Sequence, residues 1–221
     1  DSVSRTLTTW TALTQPTNLL LVLDVSGSMK ELVPGSGQTR LALAKKAARD
    51  AIGLFPEDAH VGLWAFSTRQ NGTRDYRTVV PVGALGDPVG GQQTRKQALL
   101  AGVDSLQPAG DTGLYDTIAA AQRALLDSYR KNAANLVVLL TDGKNDDTTG
   151  GLAIAALRDQ LAKNSKDPAR RVPVVLIGFG NDVDFATLQE ISRITGATAR
   201  SSREVFDINQ VLISAIFGGS G

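Results

Sequence analysis

Asn18-Leu19-Leu20-Leu21-Val22-Leu23-Asp24-Val25-Ser26-Gly27-Ser28 is the stretch that decides the fold. Leu19 to Leu23 form a short, unbroken apolar run that gives way at once to turn-forming residues, the pattern of a strand buried on both faces. Where the run stops, a carboxylate and two hydroxyls follow at alternate positions (Asp24, Ser26, Ser28), with a glycine between the hydroxyls. Hard oxygen donors gathered at one point suit a small hard cation. The carboxyl ends of strands are also where open α/β sheets take up their ligands.

Outward from this stretch, apolar strand candidates alternate with helical patterns. Strands are expected at Leu19–Asp24, Val61–Ser67, Leu136–Thr141 and Val172–Gly178, with weaker ones at Thr78–Val82 and Ala197–Ser201. Helices are expected at Leu41–Leu54, with Thr39 as its cap, and at Gln92–Leu106, Gly113–Tyr129, Leu152–Lys163, Phe185–Thr195 and Val205–Phe217. Such alternation predicts an α/β domain with a mostly parallel sheet of about six strands and helices on both faces. Ser67–Val82 reads as a hairpin leading into an edge strand, with Asn71-Gly72-Thr73 at its tip. Ser4–Ala12 is expected to pack outside the domain or to be left from a preceding one. The domain itself is placed at residues 15–217, with an N-terminal extension at 1–14 and a flexible Gly-Ser tail at 218–221.

Bulk composition narrows the functions open to this chain. Its 221 residues, 42% hydrophobic and 20% charged, are those of an ordinary globular domain. A net charge of +1 gives no electrostatic case for nucleic acid or an anionic membrane. The absence of cysteine removes disulfides, thiolate zinc, iron–sulfur clusters and cysteine nucleophiles. One histidine, His60, excludes a multi-histidine metal site and reads as a boundary residue before a strand. Trp64 and Phe66 alternate in a strand pattern and read as packing. No apolar stretch approaches the roughly 20 residues that span a bilayer, so direct membrane insertion is not expected. The chain reads as a domain excised from a longer protein.

Three separated segments carry oxygen donors, each expected where a strand meets a helix. They are Asp24, Ser26 and Ser28; Thr112 within Gly110-Asp111-Thr112-Gly113; and Asp142 within Thr141-Asp142-Gly143. In a parallel sheet these loops converge on one edge. The hydroxyls of Ser26, Ser28 and Thr112 would hold a cation without adding charge, and Asp24 and Asp142 would supply two negative charges, through oriented waters. Mg²⁺ keeps waters readily and suits so sparse a site. Held mainly by neutral oxygens, it stays electrophilic enough to accept a carboxylate from outside.

With Asp24-x-Ser26-x-Ser28, then Thr112, then Asp142 in order, the chain resembles the von Willebrand factor type A domain and its metal-ion-dependent adhesion site. The resemblance extends over Asn18 to Phe217. It implies a doubly wound sheet with one short antiparallel edge strand and divalent-cation-dependent protein binding. Ser26, Ser28 and Thr112 would be direct metal ligands, with Asp24 and Asp142 acting largely through water. Mg²⁺ is the implied cofactor, Mn²⁺ and Ca²⁺ being admissible alternatives. The implied partner is a protein presenting an Asp or Glu carboxylate. The Ser26-Gly27-Ser28-Met29 form and the Ala/Arg-rich helices look most like bacterial members, some of which follow a solute-binding-like N-terminal domain. An extracellular or cell-envelope setting is therefore expected, with a cytoplasmic one left open.

Each residue also has a purely structural alternative. Ser26 and Ser28 can cap backbone in a turn, Thr112 is a natural helix N-cap, and Asp142-Gly143 is a common turn pair. Asp146-Asp147-Thr148 reads as the cap of the following helix, and Asp116 as a charge suited to its helix dipole. Three motifs in order outweigh these alternatives taken singly. A chelatase-like assembly scaffold and a Mg²⁺-dependent phosphoryl-transfer enzyme are the competing functions. The enzyme lacks a paired acid, because the position two residues after Asp24 is Ser26. No catalytic residue is assigned.

Overall fold

The computed structural model describes residues 16–147, 150–180, 183–202 and 208–217. The extension expected at 1–14, the element expected at Ser4–Ala12 and the tail at 218–221 lie outside these residues. Six strands are present among the described residues: β1 (Thr17–Asp24), β2 (His60–Asn71), β3 (Arg74–Ala84), β4 (Ala134–Thr141), β5 (Val174–Phe179) and β6 (Arg200–Ser202). They form one sheet in the order β3-β2-β1-β4-β5-β6. Among these six strands only β2 and β3 pair antiparallel, across the hairpin whose tip holds Gly72 at φ 65°. The expected doubly wound, mostly parallel sheet with one antiparallel edge strand is what the chain forms.

Strand β1 explains why its sequence is apolar without alternation. Leu19, Leu21 and Leu23 point to one face, where they meet α1 (Arg40–Leu54), α2 (Arg95–Ser105) and Leu212 of α6 (Ile208–Phe217). Leu20 and Val22 point to the other, against α3 (Leu114–Asp127), α4 (Ile154–Asn164) and α5 (Phe185–Ile194). Both faces are therefore dry, and a strand with two dry faces needs apolar residues at every position. On α1 the buried stripe runs Leu41, Ala44, Ala47, Ala48, Ala51 and Ile52, the three-and-four spacing of one helix face.

The two sheet edges are managed differently. Edge strand β3 carries Pro81, tolerated because an edge residue needs no ladder donor. Arg95 covers that edge, donating from Nη1 to the Pro81 carbonyl at 2.8 Å and from Nε to Ala84 at 3.2 Å. The opposite edge, β6, is three residues long among the described residues.

Chain order fixes where a ligand can sit. From β1 the chain moves outward through β2 to β3, then returns to place β4 on the other side of β1. The connections on either side of β1 diverge there and leave a crevice outside its carboxyl end. Asp24 is the last residue of β1, and Asp142 directly follows β4.

Candidate functional site

The turn after β1 is fastened to its neighbours by main-chain bonds. Val25 N–H donates to the Phe66 carbonyl at 2.8 Å, and Gly27 N–H to the Gly110 carbonyl at 2.7 Å. Ala109 N–H returns a bond to Val25 O at 2.7 Å, and Thr68 N–H donates to Asp111 O at 2.8 Å. The segment holding Thr112 is thereby pinned across the ends of β1 and β2. It runs from α2 to α3, which corrects the expectation that it follows a strand: a helix–helix connection reaches the crevice because the three hydrogen bonds at Ala109, Gly110 and Asp111 hold it there.

Within the crevice the polar side chains form one chain. Asp24 Oδ1 accepts from Ser26 N–H at 2.7 Å, and Asp24 Oδ2 accepts from Thr141 Oγ1 at 2.6 Å. Ser28 Oγ donates to Asp142 Oδ1 at 2.9 Å and lies 3.1 Å from Ser26 Oγ. Since Ser28 spends its one proton on Asp142, Ser26 is the donor of that pair. Asp24 and Asp142 are both 0% exposed. Four of the five residues singled out from the sequence thus meet in one hydrogen-bonded cluster.

Thr112, the fifth, is buried, and its Oγ1 faces the next loop: a Cβ built on Gly143 would lie 3.7 Å from it. Thr112 does not cap α3. Gly113 holds the N-cap position without a side-chain bond, and the first helical N–H groups, of Leu114 and Tyr115, both donate to Asn145 Oδ1 at 2.9 and 3.1 Å. Asp146 N–H in turn donates to the Thr112 carbonyl at 3.0 Å. The loop after β4 therefore caps α3 from outside and leaves the Thr112 hydroxyl for the crevice. Asn145 was invisible as a cap because it acts 31 residues downstream of Leu114.

Electrostatics distinguish this crevice from a plain turn. Burial pushes the Asp24 carboxyl up to about 7, and the charge of Asp142 adds to the rise against the bonds from Ser26 and Thr141. Two buried carboxylates this close call for a compensating positive charge. Part of it comes from Arg40, another residue missed in the sequence, whose Nη1 lies 2.8 Å from Asp142 Oδ2 and whose Nη2 lies 2.8 Å from Glu31 Oε2.

A second acidic group lies beside the loop after β4. Asp75, Asp116 and Asp147 each bring a carboxylate oxygen within 4.8 Å of the other two. They border a cavity of about 430 Å³ whose wall also includes Tyr76, Arg123 and Gln160. The five predicted residues lie outside its described lining. Asp116 accepts from Leu152 N–H at 2.7 Å, and Asp75 from Arg69 N–H at 2.9 Å. Burial raises the Asp75 carboxyl, with the charges of Asp147 and Asp116 adding to it. The expectation that Asp146 and Asp147 cap α4 is corrected here: Ala153 is its N-cap, with no side-chain bond, and Thr148 lies outside the described residues.

Residues 18–212 match the von Willebrand factor type A domain. Among sequence relatives, an uncharacterized protein of Mycobacterium tuberculosis is 34% identical over 163 residues, covering 73% of this chain but only 23% of its own length. The chain thus spans about a quarter of that relative. Among solved structures, the von Willebrand factor type A protein from Catenulispora acidiphila superposes with a TM-score of 0.69 at 21% identity, over 91% of this chain and 42% of that one. Proximal thread matrix protein 1 of the mussel byssus, with a zinc-occupied MIDAS motif, gives 0.64 at 15% identity, over 91% and 47%. At these identities the structural likenesses establish the fold.

Proposed function

Because the chain belongs to the von Willebrand factor type A domain family, we propose that the crevice at the end of β1 holds a divalent cation, natively Mg²⁺, and offers it to a carboxylate of a protein partner. The observation that carries this reading is the pair of wholly buried carboxylates, Asp24 and Asp142, joined through Ser28 to Ser26, with Asp24 pushed up to about 7. A carboxyl so displaced signals unmet negative charge, which a divalent ion relieves more fully than one guanidinium does.

The donor set fits such an ion. Ser26, Ser28 and Thr112 would be its direct ligands, neutral oxygens that leave its charge largely intact. Asp24 and Asp142 would hold it in place by charge and through oriented waters. The bound ion supplies Lewis acidity toward an incoming carboxylate. This chain's residues do the rest: Thr141 and Ser26 N–H fix the Asp24 rotamer, Asn145 frees Thr112, and the bonds from Gly27 and Ala109 keep the loops in register.

Adhesion or partner capture outside the cell, or at its envelope, is the setting we propose. No helix among the described residues is long and apolar enough to cross a membrane. Calorimetric titration of Mg²⁺ into the chelator-treated protein tests the reading. Saturable binding to one site, abolished by Asp24→Ala with the circular dichroism spectrum unchanged, is the expected result. Binding of equal strength in that variant would overturn it.

A further inference from the structure

Arg40 opens α1, with Thr39 as N-cap accepting from Ala42 N–H at 3.1 Å. A cation there opposes the helix dipole, so the helix itself gains nothing from the charge. The side chain is nevertheless only 13% exposed, held between fully buried Asp142 and Glu31, whose own side chain is 58% exposed. The main chain repeats the link, since Arg40 N–H donates to Glu31 O at 2.9 Å and Leu32 bridges Thr39. One guanidinium is thus built into the crevice wall, on the carboxylate oxygen that Ser28 leaves over.

We propose that Arg40 is an internal counter-cation that sets how tightly the crevice holds its divalent ion, drawing on Asp142 in competition with that ion while Glu31 tempers its charge. The inference rests on the cation-site reading above. A divalent ion and a guanidinium that share Asp142 repel one another, so each weakens the other's hold. Glu31, at the solvent-facing end of the bridge, draws the guanidinium's charge away from Asp142 and so favours the ion.

The test is a Mn²⁺ titration, with free Mn²⁺ read by electron paramagnetic resonance, on the wild type, Arg40→Gln, Arg40→Lys and Glu31→Gln. Thermal melts in EDTA report on folding. A unit charge facing a divalent one across a shared carboxylate is worth roughly tenfold in affinity even under water-like screening. Arg40→Gln is therefore expected to lower the Mn²⁺ Kd about tenfold, and Arg40→Lys to stay within about twofold of wild type. Glu31→Gln alters an exposed side chain and leaves the fold alone. It is expected to raise Kd about threefold, and it decides the matter if Arg40→Gln does not fold. An unchanged or weaker affinity in Arg40→Gln, or an unchanged one in Glu31→Gln, would overturn the proposal while leaving the cation site standing. Failure of the wild type to bind Mn²⁺ at all would overturn both.

Discussion

Thr141 Oγ1 donates to Asp24 Oδ2 at 2.6 Å, tying the last residue of β4 to the last residue of β1. This bond spans the point where the chain reverses its direction across the sheet, and it holds one buried carboxylate still beside another. A carboxyl raised on folding takes up protons in the native state, so its contribution to stability is greatest at low pH. That contribution falls as pH rises from 3.8 toward about 7, and then levels off.

In EDTA, the melting temperature of the wild type relative to Asp24→Asn is therefore expected to decline across that interval, by an amount corresponding to a few kcal/mol. On the proposed reading, Mg²⁺ is expected to restore what is lost, with a stabilising effect larger at pH 8 than at pH 5. Scanning calorimetry at several pH values, with and without Mg²⁺, checks both slopes. A flat difference between wild type and Asp24→Asn would show that the carboxyl titrates alike in the folded and unfolded chain.

Thr112→Val separates ligand from cap. Because Asn145 satisfies the start of α3, losing the Thr112 hydroxyl costs the helix nothing, and the isosteric methyl keeps the packing. Stability in EDTA should change by less than about 1 kcal/mol, while Mg²⁺ affinity falls at least tenfold. Urea melts and calorimetric titration together decide between the two roles.

Asn145→Ala is expected to do the reverse in order of cause. Two N–H groups at the start of α3 lose their acceptor, costing about 1–2 kcal/mol in urea denaturation. Thr112, held to this loop through Asp146 N–H, then loses its placement, and cation affinity drops with it. If stability falls but affinity holds, Thr112 is positioned by something other than the loop after β4.

How much of this was legible in the sequence depends on how far each interaction reaches along the chain. The core strand could be read from Leu19–Leu23 because burial on both faces leaves its mark on consecutive residues. Thr39 was legible as a cap because its partner is Ala42, three residues away. The sequence pattern puts the start of α2 at Gln92, whereas the structure begins it at Arg95, where the Thr94–Gln97 capping box closes the first turn. Five oxygen-bearing residues could be named because each lies in a short turn motif. Arg40 could not, because Asp142, the partner that gives it meaning, lies 102 residues away. Asp75 was missed for a like reason: only the β2–β3 hairpin carries it to Asp116 and Asp147.

Those three acids support a last prediction. Asp75 is buried, and its carboxyl is raised mainly by that burial and then by the charges of Asp147 and Asp116. The backbone of α3 approaches so closely that a Cβ on Gly113 would fall 2.4 Å from the Asp75 Cβ, which leaves the carboxylate little room to turn away. Ionising it therefore costs stability, progressively as pH rises above 3.8. Asp75→Asn removes that charge and keeps an oxygen to accept from Arg69 N–H. The variant is expected to melt higher than wild type at pH 8 by a few degrees, and its advantage to be smaller at pH 4, toward which a carboxyl raised by burial regains its proton in the folded chain. Thermal melts at the two pH values check it, and a lower melting temperature for Asp75→Asn at pH 8 would mean that the carboxylate is a net stabilising partner in the hairpin.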